Sequence, residues 1–478
     1  MKILTRSHIS FAVAGLATAL LCSAISPAWA ENLFAPLNEV YEVNQSKSAF
    51  GIKKQGTGRL NTNLLSDIFN PRNNKVRQVP LQMLDGSQST LHLRRQESGN
   101  VGGIQIVSGI VDGESHNMAT LVNNRGELRG RIWKDGKLFR LYSNKSGRYR
   151  LSEINSANLP EGKDTIEAEQ LEGFRNSNSQ KRQAKAPVAS ENEPIDLLLF
   201  VTKRAIKELG GREKAMPEME LLIAETNNIY QQSGASDGPM FRVVGLYPFP
   251  LKEHDDIEAD LTLWRSNKAL LSFRNSLGAD LVAFITAPND PNYCGMGFIG
   301  PDASDPEAYP ELGYSISVLD CALTNLTFAH ELGHNMGARH DRFADPSDGD
   351  NHGFVNLKQK WRTVMAYSME CWVKNKEGCP KVPYFSNPGL KYSNSPLGKR
   401  RGQPDSADNA EAIRRNKQLV ASYRPRADAE DGERASASTA TSSNRRTPET
   451  NTIGGIILES AAPRNQRKSS GKERVIKW

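Results

Sequence analysis

The sequence predicts an α+β chain, a mixed α/β domain preceded by a small, mostly antiparallel β domain. Three observations carry that expectation. Between about residues 87 and 153 apolar and polar residues alternate with period two and are cut by turn residues. After residue 194 the texture changes to continuous apolar strands separated by amphipathic helices. Near residue 330 two histidines stand four apart on a segment with an apolar stripe, which places both on one helical face.

Along the chain, Lys2 and Arg6, an apolar run from Phe11 to Leu21 and Ala28-Trp29-Ala30 form a secretory signal peptide over residues 1–30. Cys22 follows Leu21 rather than the small residue that a lipid anchor needs. No later stretch approaches the ~18 apolar residues of a membrane span. The expectation is a chain without a membrane span, secreted or periplasmic once the signal is removed.

The β-rich region is expected over residues 31–171, with strands at Thr90–Arg94, Ile104–Val111, Ala119–Val122, Leu128–Trp133, Leu138–Tyr142 and Tyr149–Ile154 and a hairpin turn at Asp135-Gly136. Residues 172–194 are polar, a linker with a candidate processing site around Lys181-Arg182 and Lys185. The second domain, 195–426, is read as strand Ile195–Val201, helix Glu213–Gln232, strand Phe241–Tyr247 and helix Ile257–Leu277. Strand Asp280–Ile285, an edge strand at Gly313–Leu319 and a last helix over about Asp408–Tyr423 complete it. Residues 427–478 read as a disordered tail.

The net charge of +7 divides unevenly: 23 basic against 18 acidic groups in 31–194, and 27 against 29 in 195–426. The second domain is near neutral, so nucleic acid is not an expected partner. Without Cys22, Cys294, Cys321, Cys371 and Cys379 remain, an even number with no C-x-x-C. Four cysteines permit three pairings, of which Cys294–Cys321 with Cys371–Cys379 is the sequence-local one.

The chemistry is concentrated in His330-Glu331-Leu332-Gly333-His334-Asn335-Met336-Gly337-Ala338-Arg339-His340-Asp341. His330 and His334 can direct both imidazoles at one Zn2+ ion, and Gly337 can end the helix at positive φ so that the chain returns with His340 as a third ligand. Three neutral ligands leave an open position, and Glu331 beside it can serve as general base for a water attacking an amide carbonyl. Asp345, Asp348 and Asp350 with Asn351 suggest a Ca2+ loop, but their spacing is not that of an EF-hand, and a solvated acidic loop is the simpler expectation. His92, His116, His254 and His352 lack ligand spacing and are expected on the surface or on strands.

Together with Thr363-Val364-Met365-Ala366-Tyr367, the motif resembles the metzincin zinc endopeptidases, in particular the adamalysin (reprolysin) branch, where an Asp follows the third His. Cys294-Gly295, Gly313-Tyr314-Ser315 and Tyr384-Phe385-Ser386-Asn387-Pro388 resemble bacterial reprolysin-like members. The resemblance covers about residues 195–426. It implies a twisted mixed sheet with an active-site helix and Met-turn, zinc on His330, His334 and His340, Glu331 as catalytic base, Asp341 as a brace and Met365 as the floor. Tyr367 matches the zinc-proximal Tyr of the astacin and serralysin branches. Protein or peptide substrates lying along the edge strand are implied, and 31–171 becomes a propeptide and inhibitor of its own catalytic domain. That region has no cysteine, so a cysteine switch is absent and inhibition falls to other residues or to steric cover. The rivals are an exported zinc-scaffold binding protein whose β domain is the working module, and a basic surface-binding protein acting through Arg464–Lys477.

Overall fold

A computed structural model describes residues 32–43, 51–70, 72, 75–95, 99, 103–155, 162, 164–167, 190, 193–289, 293–301 and 310–427, and the backbone of 452–453 and 456–457. The signal segment, most of the 172–194 linker and nearly all of the tail lie outside the described residues.

The first domain is a nine-stranded antiparallel sheet: β1 (Glu39–Glu42), β2 (Ile52–Arg59), β3 (Arg77–Gln82), β4 (Gln88–Arg95), β5 (Ile104–Val111), β6 (Glu114–Asn124), β7 (Glu127–Lys134), β8 (Lys137–Ser143) and β9 (Arg148–Ile154). The order β1-β2-β9-β8-β7-β6-β5-β4-β3 is a meander closed on one side by β2 pairing β9. The six expected strands are present, each extended by a residue or more except Ile104–Val111. The first three were illegible, because a strand such as Ile-Lys-Lys-Gln-Gly-Thr-Gly-Arg carries almost no apolar alternation.

Period two gives this sheet two different faces. Leu121, Leu128, Ile132, Leu141 and Leu151 face its own core with Phe34 and Tyr149. Arg129, Arg131 and Trp133, on the opposite face of β7, meet the second domain.

That domain runs β10 (Thr165–Ile166), β11 (Ile195–Val201), α1 (Lys203–Glu208), α2 (Arg212–Gln232), β12 (Phe241–Pro248), α3 (Ile257–Arg265), α4 (Lys268–Ser276), β13 (Leu281–Thr286), β14 (Gly295–Phe298), β15 (Tyr314–Val318), α5 (Leu319–Thr324), α6 (Thr327–Asn335), α7 (Met369–Asn375) and α8 (Asn409–Val420). Its sheet has the order β10-β14-β15-β13-β11-β12, parallel except where β14 opposes β15. The sheet is mixed, with helices packed on it. The single helix expected over Ile257–Leu277 is two, because the Asn267 side chain accepts the Leu270 N–H and starts a new helix.

The edge expected at Gly313–Leu319 is also corrected. That strand, β15, is interior; the strand outside it is β14, whose Gly-Met-Gly-Phe sequence is too short and glycine-rich to announce itself.

The two domains share a core. Met118, Trp133, Leu138 and Ile154 of the β sheet pack in one cluster with Met219, Leu222 and Leu332. Around it, Arg129 and Arg140 donate to Glu218 at 2.9 and 3.2 Å, Trp133 donates to Glu225 at 2.8 Å, and Arg131 pairs with Glu225. Burial would raise the Glu218 carboxyl, but the Arg140, Arg131 and Arg129 guanidinium groups outweigh it and bring it down to about 2. A carboxylate depressed in the folded state adds stability that is present above its unfolded value and lost as pH falls toward 2; the size is on the order of 3 kcal/mol. The urea midpoint of the full chain should therefore drop between about pH 4.5 and 2, and Glu218→Gln should remove that part of the slope while lowering the midpoint at pH 7.

Candidate metal centre and active site

Helix α6 presents the metal-binding face. His330 Nδ1–H donates to the Val364 carbonyl at 2.8 Å and His334 Nδ1–H to the Ala338 carbonyl at 2.8 Å, which turns both Nε2 atoms inward. The helix stops at Met336, and Gly337 follows at φ +82°; a Cβ there would meet the Pro301 carbonyl oxygen at 2.0 Å. The reversed chain delivers His340, whose Nε2 lies 3.3 Å from that of His330, while His334 Nε2 lies 3.0 Å from it. Nitrogens bound to one tetrahedral zinc at ~2.0–2.1 Å stand ~3.3 Å apart, so the three imidazoles fit such an ion. Burial pushes His330 down to about 3 and lowers His334 as well, keeping both rings in the neutral form that ligates.

The surroundings hold this geometry. Asp341 accepts the Phe343 N–H at 3.1 Å and the Tyr367 N–H at 2.8 Å, tying the loop that carries His340 to the Met-turn. Met365 is fully buried, with its sulfur close under Gly333. Tyr367 stacks on His340 with ring centroids 4.2 Å apart. His352, expected at the surface, is instead fully buried, and its Nδ1 bonds to the His340 carbonyl at 2.8 Å. A tertiary partner inside the metal loop stabilises it there, which its isolated position in the sequence did not reveal. His254 is exposed as expected. His92 and His116 lie on β4 and β6, outside the metal-capable group.

The acidic loop is partly solvated, with Asp348 exposed and Asp345 half-buried, while Asp350 is drawn into the fold. Asp350 is buried and accepts Arg415 at 2.8 and 3.1 Å, Asp345 accepts Arg339 at 3.3 Å, and the Asn351 amide donates to the Gly337 carbonyl at 2.7 Å. Cys294–Cys321 and Cys371–Cys379 are both bonded. The first ties the start of β14 to α5, just ahead of the metal helix.

Glu331 is buried among these groups, and neither of its oxygens has a hydrogen-bond partner among the described residues. Burial and then the Asp164 carboxylate push it well above the usual carboxylate range. It lies against β14, where a Cβ on Gly295 would come within 2.4 Å of Oε1. A buried carboxylate without a donor, next to three convergent imidazoles, is arranged to receive a water and an ion rather than to brace the fold.

A fourth residue, without any signature in the sequence, completes the metal-capable group. Asp164, from the segment that follows the β domain, places its carboxylate 2.8 Å from His340 Nε2, 3.2 Å from His330 Nε2 and 3.5 Å from His334 Nε2. Burial would raise this carboxyl, but the His340 and His330 rings facing it, and the hydrogen bonds from His330 and His334, hold it well below its ordinary value. Next to it, β10 pairs in parallel with β14, Thr165 opposite Gly297 and Ile166 opposite Phe298, and the Tyr367 hydroxyl donates to the Gly162 carbonyl. Arg339 donates to Glu167 at 3.0 and 3.2 Å. The segment thus caps the metal position and covers the outer edge of the sheet. An isolated Asp in a polar stretch carries no periodicity or spacing that could have exposed this.

Residues 191–386 match the family model of metallo-peptidase family M12 called Reprolysin_5. Similar proteins include the peptidyl-Asp metalloendopeptidases of Stenotrophomonas maltophilia, 28% identical over 64% of this chain and 71% of the relative, and of Xanthomonas campestris pv. campestris, 28% identical over 64% and 70%. The Pseudomonas aeruginosa peptidyl-Asp metalloendopeptidase is 26% identical over 48% of this chain and 40% of its own length. Among the described residues no helix is long and apolar enough to cross a membrane. The stretch from 191 to 386 is a reprolysin-like metallopeptidase domain, and the chain that carries it is a metallopeptidase, a hydrolase acting on proteins.

Proposed function

We propose that the chain is an exported zinc endopeptidase made as a zymogen, with His330, His334 and His340 as ligands and Glu331 as general base. The observation that carries this reading is the convergence of three Nε2 atoms, those of His340 and His334 at 3.3 and 3.0 Å from that of His330, beside a buried Glu331 whose oxygens have no hydrogen-bond partner among the described residues. A zinc ion held there supplies Lewis acidity, polarising the substrate carbonyl and acidifying a water. Glu331 takes the proton of the attacking water and hands it to the leaving nitrogen. Tyr367, stacked on His340 at the rim, is placed to donate to the carbonyl oxygen once its hydroxyl is released from Gly162. Asp341 and Met365 act through the ligands, as positioning residues.

Substrate would lie along β14 rather than β15, taking the backbone partners that β10 now uses. The relatives' name specifies a peptidyl–Asp bond, and cleavage on the amino side of an acidic residue is the reading adopted for this chain. Signal removal at residue 30, the propeptide role of 31–171, processing within 172–194 and dispensability of 427–478 belong to the same proposal. The inhibitor is the propeptide's own Asp164, a carboxylate in the place of the cysteine that this region lacks.

Metal removal tests the core of the reading. Treating the matured chain with a chelator should abolish cleavage of a protein substrate, and stoichiometric zinc should restore it. A chain that binds zinc yet cleaves nothing would favour the rival in which the β domain is a binding module.

A further inference from the structure

A small hollow, with room for about a single water while Asp164 is in place, opens beside the metal position, lined among others by Glu331, Asn325, Thr327, Asp164 and Lys381. Lys381 is its cationic member, and it is buried. Its backbone is fixed: the Arg362 N–H donates to the Pro380 carbonyl at 3.0 Å and the Val382 N–H to the Arg362 carbonyl at 2.8 Å. Arg362 also donates to the Cys379 carbonyl at 2.8 Å, next to the Cys371–Cys379 disulfide. Prolines at 380 and 383 flank the lysine and restrict the chain further. A buried cation on so rigid a support suits recognition of a fixed charge.

The chemistry sets which substrate residue enters. Glu331 must deliver its proton to the leaving nitrogen, and that nitrogen belongs to the residue on the carboxyl side of the cleaved bond. A substrate bound with that residue on the Glu331 side of the metal would turn its side chain toward the hollow, whose wall includes Asn325, Thr327 and Lys381. In the covered state the chain's own carboxylate, Asp164, lines the same hollow; when it withdraws, the wall loses an anion and keeps the lysine.

We infer that Lys381 is the specificity-determining residue of this site, selecting an acidic side chain on the residue that donates the leaving nitrogen, with Asn325 and Thr327 as its polar neighbours. The inference rests on the peptidase reading above and adds to it the residue that reads the substrate. Truncating one partner of a buried charge pair at an interface costs on the order of 100-fold.

The test uses the full chain carrying Asp164→Ala, so that the covering carboxylate is absent, and four peptides identical except for Asp, Glu, Asn or Leu at that position. Lys381→Met, which keeps the volume, should lower kcat/KM on the Asp peptide about 100-fold while changing the Asn and Leu peptides less than about 5-fold. Lys381→Arg should retain the acidic preference, and Lys381→Glu should abolish it. Thermal melts of each variant identify one that has failed to fold, and Lys381→Arg then decides alone. An unchanged Asp-to-Asn ratio in Lys381→Met, or an equal loss on all four peptides, overturns the inference and leaves the peptidase reading intact. A parent chain that cleaves none of the four overturns both.

Discussion

Replacing Asp164 by alanine in the full-length chain should raise its cleavage of a protein substrate on the order of 30–100-fold. The figure follows from what the side chain holds. Its carboxylate lies 2.8 to 3.5 Å from all three histidine nitrogens, where it would face the proposed zinc cation, the whole group is buried, and truncating one partner of a buried charge pair costs about 2–3 kcal/mol. What remains of the cover is weak by comparison: β10 pairs with β14 over only two residues, and Glu167 is partly exposed where Arg339 reaches it. An extended substrate offers β14 the same backbone bonds over a longer register and should displace it. Asp164→Asn, which keeps the shape and loses the charge, should fall between parent and Asp164→Ala. Initial rates on a fluorogenic protein substrate, taken before any cleavage in the linker, read the effect directly. A silent Asp164→Ala chain would move the inhibition from the carboxylate to the bulk of the β domain.

Glu331→Gln should lower kcat about 10³- to 10⁴-fold, the contribution of a placed general base, while the bound zinc content is unchanged. The two readouts separate because Glu331 is adjacent to the group that can hold the ion without being a member of it. The same change should leave the melting temperature at or above that of the parent. A buried carboxyl with no donor costs the fold stability, whether it is ionised or must take up a proton to stay there, and an amide of equal size carries no charge to desolvate. Loss of zinc along with loss of activity would mean that Glu331 serves the metal site instead of the water.

The three convergent histidines were legible and the carboxylate over them was not, for a physical reason. Spacing of four residues on a helix and a glycine at its end are local constraints, so His330, His334, Gly337 and His340 could be read from a dozen residues. Met365 and Tyr367 were legible only through resemblance, since their roles depend on the return of the chain beneath α6. Asp164, Lys381 and His352 take their meaning from contacts with segments far away in sequence, and none sits in a pattern. Strand β14 failed differently: two of its four residues are glycines, which weaken a strand signal, yet Gly295 is needed because the Glu331 carboxylate occupies the space of a side chain. The requirement of the site thus erased the signature of the element that frames it.

The Cys294–Cys321 bridge gives this arrangement a sense of place. It fastens the first residue before β14, the strand proposed to receive substrate, to the helix that leads into the metal ligands. Such a bond forms in oxidising compartments and is kept reduced in the cytosol. A chain still inside the cell would have its substrate strand untethered as well as its metal capped by Asp164. On the proposed reading, the proteolytic site would be completed only where thiols oxidise, away from the reducing cytosol.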